Sequence, residues 1–230
     1  MGWSSIWSNG KLNAAKKAVE LVEDGMVIGI GSGSTVEAFL QELSKKIDSE
    51  GIRVVGVPSS YGSHMIAVDS GVLVSDLYQY PQPEVYIDGA DQLDSQFNCI
   101  KGGGGALTRE KILASSCSKF VVITDSSKLS EKLDMAVPVE VIPFAYGSFA
   151  RKVAEIGGRA ELRESKKKFG PVITDNGNFI ADCDFGAIDE PSKLEKSLNN
   201  IPGVVENGIF AKELVDSVIV GKEDGVEIIK

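Results

Sequence analysis

The chain has 230 residues, 43% of them hydrophobic and 25% charged, which is ordinary for a globular protein of one or two domains. Its formal net charge of −9 and isoelectric point near 4.8 argue against a general nucleic-acid binder, whose affinity comes from neutralising phosphates. No apolar run reaches the roughly 20 residues of a membrane span. Residues 1–11 have neither the basic start nor the apolar core of a secretory leader, and a myristoylation pattern at Gly2 fails because position 6 is Ile. The three cysteines, Cys99, Cys117 and Cys183, are scattered without metal-ligand spacing and read as free thiols of a reducing cytoplasm.

In chain order, Leu12, Ala15, Val19 and Val22 recur at helical spacing, and Gly25 closes that helix. Residues 26–30 form a short apolar strand that runs into Gly31-Ser-Gly-Ser-Thr35. A helix follows, with Val36, Phe39, Leu40 and Leu43 on one face. Residues 52–57 read as a strand, 61–68 as a helix, and 72–74, 85–87 and 120–124 as further strands. Apolar runs without alternation, separated by helices, predict a doubly wound, mostly parallel, Rossmann-like sheet covered on both faces. The pattern changes after about residue 135. A strand (137–142), a helix (144–156), an alternating segment (159–163), a hairpin around Asn176-Gly177, a helix (191–199) and a strand at 204–205 follow the β-α-β-β-α-β order of a ferredoxin-like α+β unit. The buried-type strand at 217–220 is expected to rejoin the first sheet. The expected organisation is therefore a Rossmann-like domain of residues 1–135 plus 208–230, interrupted by a smaller domain of residues 136–207. The lysines at 166–168 read as a solvated loop.

Three polar loops follow strands: 31–35, 88–91 and 101–105. Ligands of parallel sheets gather at the carboxyl ends of the strands, so three such loops suggest one site. In the first, glycines let an anion approach the backbone, and Ser32, Gly33, Ser34 and Thr35 offer amides and hydroxyls at a helix start. The spacing is not that of a dinucleotide site, and no lysine completes a P-loop. In Asp88-Gly89-Ala90-Asp91 two carboxylates can face one cavity. Turn capping, or a magnesium site with Asp94 as third ligand, are alternatives. The third loop is Lys101-Gly102-Gly103-Gly104-Gly105, followed by a helix from about Ala106. On that helix Ala106, Leu107, Glu110, Leu113 and Ala114 share a face. A glutamate on an inward face is partly desolvated, its pKa rises, and it becomes a candidate general base. The glycines leave backbone amides open to developing negative charge, and Lys101 adds a cation.

With these residues assembled, the sequence resembles ribose-5-phosphate isomerase of the A type from about Lys11 to the end. The resemblance rests on G-S-G-S-T, D-G-A-D, K-G-G-G-G-A-L-T-R-E-K, P-V-E-V-I-P, T-D-N-G-N and I-P-G-V-V-E-N-G, which occur in that order. It implies interconversion of ribose 5-phosphate and ribulose 5-phosphate through an enediolate, without metal or organic cofactor. Glu110 is then the base between C2 and C1, Asp88 assists ring opening, and Lys101 with nearby loop amides stabilises the enediolate oxygen. Residues 32–35 bind substrate, Asp91 supports the sugar hydroxyls, and Lys11 and Lys128 hold the phosphate. Family habit implies a homodimer or dimer of dimers in the cytoplasm. Three departures from the family pattern stand out: Gln92 after D-G-A-D, the segment Tyr61-Gly62-Ser63-His64 after Ser59-Ser60, and Asp134 before P-V-E-V-I-P. Rival readings are a non-enzymatic sugar-phosphate sensor, a metal-dependent isomerase using Asp88, Asp91 and Asp94, and a coenzyme A transferase with a covalent intermediate.

Overall fold

Runs rich in Val and Ile become strands wherever both faces are covered, and the first half of this chain has several. A computed structural model of the chain describes residues 7–166 and 169–230. Residues 1–6 and Lys167 and Lys168, on which the N-terminal and lysine-loop readings partly fell, lie outside the described residues. The strands are β1 (Val27–Ile30), β2 (Val55–Pro58), β3 (Leu73–Val74), β4 (Val85–Asp88), β5 (Gln92–Leu93), β6 (Cys99–Ile100), β7 (Phe120–Asp125), β8 (Val137–Val141), β9 (Arg159–Leu162), β10 (Phe179–Asp184), β11 (Val204–Asn207), β12 (Ile209–Phe210), β13 (Ser217–Lys222) and β14 (Gly225–Ile228). The helices are α1 (Asn9–Val19), α2 (Ser34–Glu50), α3 (Tyr61–Asp69), α4 (Leu107–Ser116), α5 (Tyr146–Glu155) and α6 (Pro191–Asn199).

The chain divides into two units: residues 1–90, 112–128 and 214–230, and residues 91–111 and 129–213. The first holds a seven-stranded sheet in the order β14-β13-β7-β4-β1-β2-β3. All its pairings are parallel except that of β14 with β13 at one edge. Its core joins Ile28, Ile30, Ile87, Val121 and Ile123 of the strands to Ala14, Ala18, Phe39, Leu40 and Leu43 of the helices. This is the doubly wound arrangement read from the sequence. Strand order reverses between β1 and β4, and their adjacent carboxyl ends carry Gly31 and Asp88. The C-terminal hairpin of β13 and β14 extends beyond the single strand expected there; its two-residue turn is Glu223-Asp224, with Lys222 paired to Gly225.

The second unit holds a four-stranded antiparallel sheet in the order β11-β8-β10-β9, with α5 and α6 in the connections. That is the ferredoxin-like order. It also holds a sheet of three two-residue strands, β12-β6-β5, which periodicity could not reveal. This small sheet makes residues 91–111 part of the second unit, whereas the sequence reading set them in the Rossmann-like domain. The determining pairs are Ile209 with Ile100 and Phe210 with Cys99, more than a hundred residues apart in the chain. Ile100 and Ile209 are buried in the same core as Val137, Val139, Phe149 and Leu198.

Candidate active site

In the first unit, Asp88 ends β4 and is fully buried. Its Oδ1 accepts from the amides of Ser32 (3.1 Å) and Gly89 (2.7 Å), and its Oδ2 accepts from the hydroxyl of Tyr86. Gly31 is required by this arrangement: a Cβ there would lie 2.0 Å from the Asp88 carboxyl carbon. After Gly31 the chain turns through Gly33, at φ 93°, into α2, so residues 32–35 stand at a helix N-terminus. Lys11, in the first turn of α1, donates from Nζ to Ser34 Oγ at 2.9 Å, which brings a cation to that same helix start. Lys128 closes a short 3₁₀ turn, residues Ser126–Lys128, after β7. Tyr86 was not singled out by sequence reasoning. It is buried, stacked on Phe120 at 4.9 Å, and reads as core in the sequence because it sits in an apolar strand.

In the second unit, β5 and β6 pair antiparallel, which sets Asp91 beside the start of the glycine loop; the Asp91 amide donates to the Ile100 carbonyl at 2.9 Å. The Asp91 carboxylate accepts from the Gly103 amide at 2.7 Å. Gly102 has φ 99°, and a Cβ on it would meet Leu107 at 2.8 Å, so the loop can turn into α4 here only with glycine. Gly103 and Gly104 are exposed at the tip of the turn. Helix α4 starts one residue after the expected position and buries Leu107, Glu110, Leu113 and Ala114, while Ile112 faces out.

Glu110 lies in a buried ion pair: Lys101 Nζ is 3.2 Å from its Oε2. The sequence alone offers the helix start, Arg109 or Lys111 as what stabilises an exposed Glu110; the structure buries it and pairs it with Lys101. The ammonium beside it offsets part of the cost of burying a carboxylate there. Phe210 on β12 forms a floor, with the Lys101 ammonium 5.3 Å and that of Lys111 5.1 Å from its ring centre. The Arg163 guanidinium donates to the carbonyls of Gly102 (2.9 Å) and Gly103 (3.1 Å) while paired with Asp182, so it fixes the loop from its carbonyl side. Neither Phe210 nor Arg163 carries a sequence signal, since both meet the loop only through long-range pairing.

Asp94 caps its own turn, accepting from the amides of Gln96 and Asn98 and from the Asn98 side chain at 2.8 Å each. Among the described residues no three His, Cys, Asp or Glu side chains are grouped as metal ligands. Two departures from the family pattern are bonded to each other: Gln92 donates to the Asp134 carboxylate at 2.6 Å and accepts from the Asp134 amide at 2.9 Å. His64 is exposed on α3, whose start is fixed by a capping box of Ser60 and Ser63.

The family model for Ribose 5-phosphate isomerase A (phosphoriboisomerase A) matches residues 55–225. A ribose-5-phosphate isomerase A of Archaeoglobus fulgidus is 60% identical over 216 residues, covering 93% of this chain and 96% of that protein. The structure of ribose 5-phosphate isomerase A from Methanocaldococcus jannaschii superposes with a TM-score of 0.91 at 48% identity, covering 96% of this chain and 97% of the other. A D-ribose-5-phosphate isomerase in complex with phospho-erythronic acid superposes with a TM-score of 0.92 at 45% identity, again over 96% and 97% of the two chains. The fold and these likenesses define an aldose–ketose isomerase. The chain belongs to the ribose 5-phosphate isomerase A family.

Proposed function

We propose that this chain interconverts ribose 5-phosphate and ribulose 5-phosphate by moving a proton through an enediolate, with Glu110 as the base. The isomerisation is the activity of the family to which the chain belongs. The proton path is supported above all by one observation, the buried pair of Lys101 and Glu110. When a proton leaves C2 of the open-chain aldose, the electron pair of that C–H bond forms the C1–C2 double bond and charge builds on the carbonyl oxygen. A carboxylate beside an ammonium supplies both needs, a proton acceptor and a cation for the new charge. The proton on Glu110 then returns to C1, and the proton leaving O2 ends on O1, so atoms and charge balance.

The remaining residues take roles that fit their surroundings. Asp88, held by three donors, assists ring opening; Gly89, Ala90 and Asp91 meet the sugar hydroxyls. Gly102, Gly103 and Gly104 offer amides to the enediolate. Ser32, Gly33, Ser34 and Thr35, with Lys11 and Lys128, bind the phosphorylated substrate, whose remote charge helps hold the reacting end in place. The reaction so written calls for neither metal nor organic cofactor. We further propose a cytoplasmic homodimer or dimer of dimers, which light scattering on the purified chain tests.

Glu110→Gln is the decisive variant. It is expected to keep the fold and the KM and to lower kcat by about 10²–10⁴-fold, the usual worth of a general base. Near-normal turnover would remove Glu110 from the chemistry. Phospho-erythronic acid, whose planar carboxylate resembles the charge of the enediolate, is expected to compete with ribose 5-phosphate. Failure to compete would count against that intermediate.

A further inference from the structure

Glu140 is the fourth of the five residues of β8 and is fully buried. Its two oxygens accept from four neutral side chains. Thr108 Oγ1 donates at 2.5 Å and Thr174 Oγ1 at 2.9 Å. Asn176 Nδ2 lies 3.1 and 3.2 Å from the two oxygens, and Asn178 Nδ2 donates at 2.8 Å. Thr174, Asn176 and Asn178 belong to one tight turn, closed by the Thr174 amide on the Asn178 carbonyl at 2.9 Å. Two sequence motifs, P-V-E-V-I-P and T-D-N-G-N, thus meet at a single carboxylate.

The fourth partner is the informative one. Thr108 is in the first turn of α4, two residues before Glu110, and successive residues of an α-helix are about 100° apart around its axis. Thr108 and Glu110 therefore point to nearly opposite sides of α4. Arg109 is tied to the same turn, donating to Asn176 Oδ1 at 2.8 Å and to the Asp175 carbonyl at 3.0 Å. Lys111 is anchored by Glu195 at 2.8 Å and Glu206 at 3.0 Å. The residues on either side of Glu110 are thus held by side-chain bonds, and a helix fixed on one face cannot rotate its opposite face.

We infer that Glu140, with Thr108 and the turn of residues 174–178, is a positioning network that sets the rotation of α4 and so the aim of the Glu110 carboxylate. A buried acceptor shared by four donors suits that task, because each bond is directional and a buried carboxylate is costly to leave with fewer donors. Thr108, Glu140 and Asn176 do not touch the reacting atoms; they act through Glu110. The inference rests on Glu110 being the base.

The test compares Thr108→Val, Thr108→Ser and Asn176→Ala in the full-length protein, with kcat, KM and thermal unfolding measured together. Valine keeps the shape of threonine and removes only the hydroxyl. Thr108→Val is expected to lower kcat by about 10- to 100-fold, the effect of a misplacement on the order of 1 Å, with KM little changed. Thr108→Ser restores the hydroxyl and is expected to recover most of the turnover. Asn176→Ala, which frees both Glu140 and Arg109, follows Thr108→Val. In a Glu110→Gln background Thr108→Val is expected to have no further effect on the residual rate. Lowered unfolding temperatures with unchanged kcat in both Thr108→Val and Asn176→Ala would make the network structural only and overturn the inference. Retained turnover in Glu110→Gln alone would instead overturn the assignment of the base.

Discussion

The ammonium of Lys101 lies 3.2 Å from Oε2 of Glu110, and both side chains are almost closed to water, at 3% and 4% exposure. Such a pair contributes little net stability, since desolvation offsets most of the attraction, but removing one partner strands the other. Lys101→Met is therefore expected to cost about 3–5 kcal/mol in denaturant unfolding as well as abolish activity. Adding Glu110→Gln to it is expected to return much of that stability, because no lone charge stays buried. A double variant as unstable as Lys101→Met would show that the loss comes from packing on Phe210 and not from the stranded carboxylate.

Gly31 carries a steric prediction. A methyl group there would stand 2.0 Å from the Asp88 carboxyl carbon, and Asp88 has no room to retreat within a fully buried strand end. Gly31→Ala is expected to destabilise the protein by about 1–3 kcal/mol, the usual cost of overpacking. It is also expected to lower kcat/KM by at least as much as Asp88→Asn does. Measuring both variants side by side decides the point; a Gly31→Ala protein with full activity would mean that Asp88 is not held where the chemistry needs it.

The cysteines give a pH dependence. Burial pushes the thiols of Cys117 and Cys183 up from 9.0 to about 12, with the charge of Glu84 adding to the first and that of Asp182 to the second, against an opposing backbone hydrogen bond from Gly29 at Cys117. The folded protein thus holds these protons more tightly than the unfolded chain. Their contribution to stability is complete below about pH 9 and is lost as pH rises towards 12. Urea midpoints are expected to fall above pH 9, and to fall less when Cys117→Ala and Cys183→Ala are combined. At pH 8 both thiols are expected to resist alkylation until urea unfolds the chain. Rapid native labelling, read by mass spectrometry, would contradict this.

The parallel sheet was legible because its strands are continuous apolar runs, and the ferredoxin-like unit because its elements alternate in a known order. The inward face of α4 was legible as well, since Leu107, Glu110, Leu113 and Ala114 follow helical spacing. What the sequence hid is what depends on distant pairing. The two-residue strands β5, β6 and β12 have no periodicity to detect, yet they set Lys101, Asp91 and Phe210 together and move residues 91–111 into the second unit. Glu140 left a trace, a charged residue within an apolar strand. Its partners at 108, 174, 176 and 178 could not be paired with it without coordinates. Gln92 and Asp134 read as two separate departures from the family pattern and are a single bonded pair.

The central claim is that a carboxylate carries the proton from C2 to C1. It is tested most directly by incubating the purified chain with ribose 5-phosphate in deuterium oxide and excess chelator. An acid that exchanges its proton with solvent before returning it must leave deuterium at C1 of the ribulose 5-phosphate formed, and the label should disappear with turnover in Glu110→Gln. Ketose formed without solvent label, at a rate that Glu110→Gln leaves unchanged, would contradict the account, because a hydride shift needs no base at residue 110, whereas proton transfer by a carboxylate shielded from solvent does.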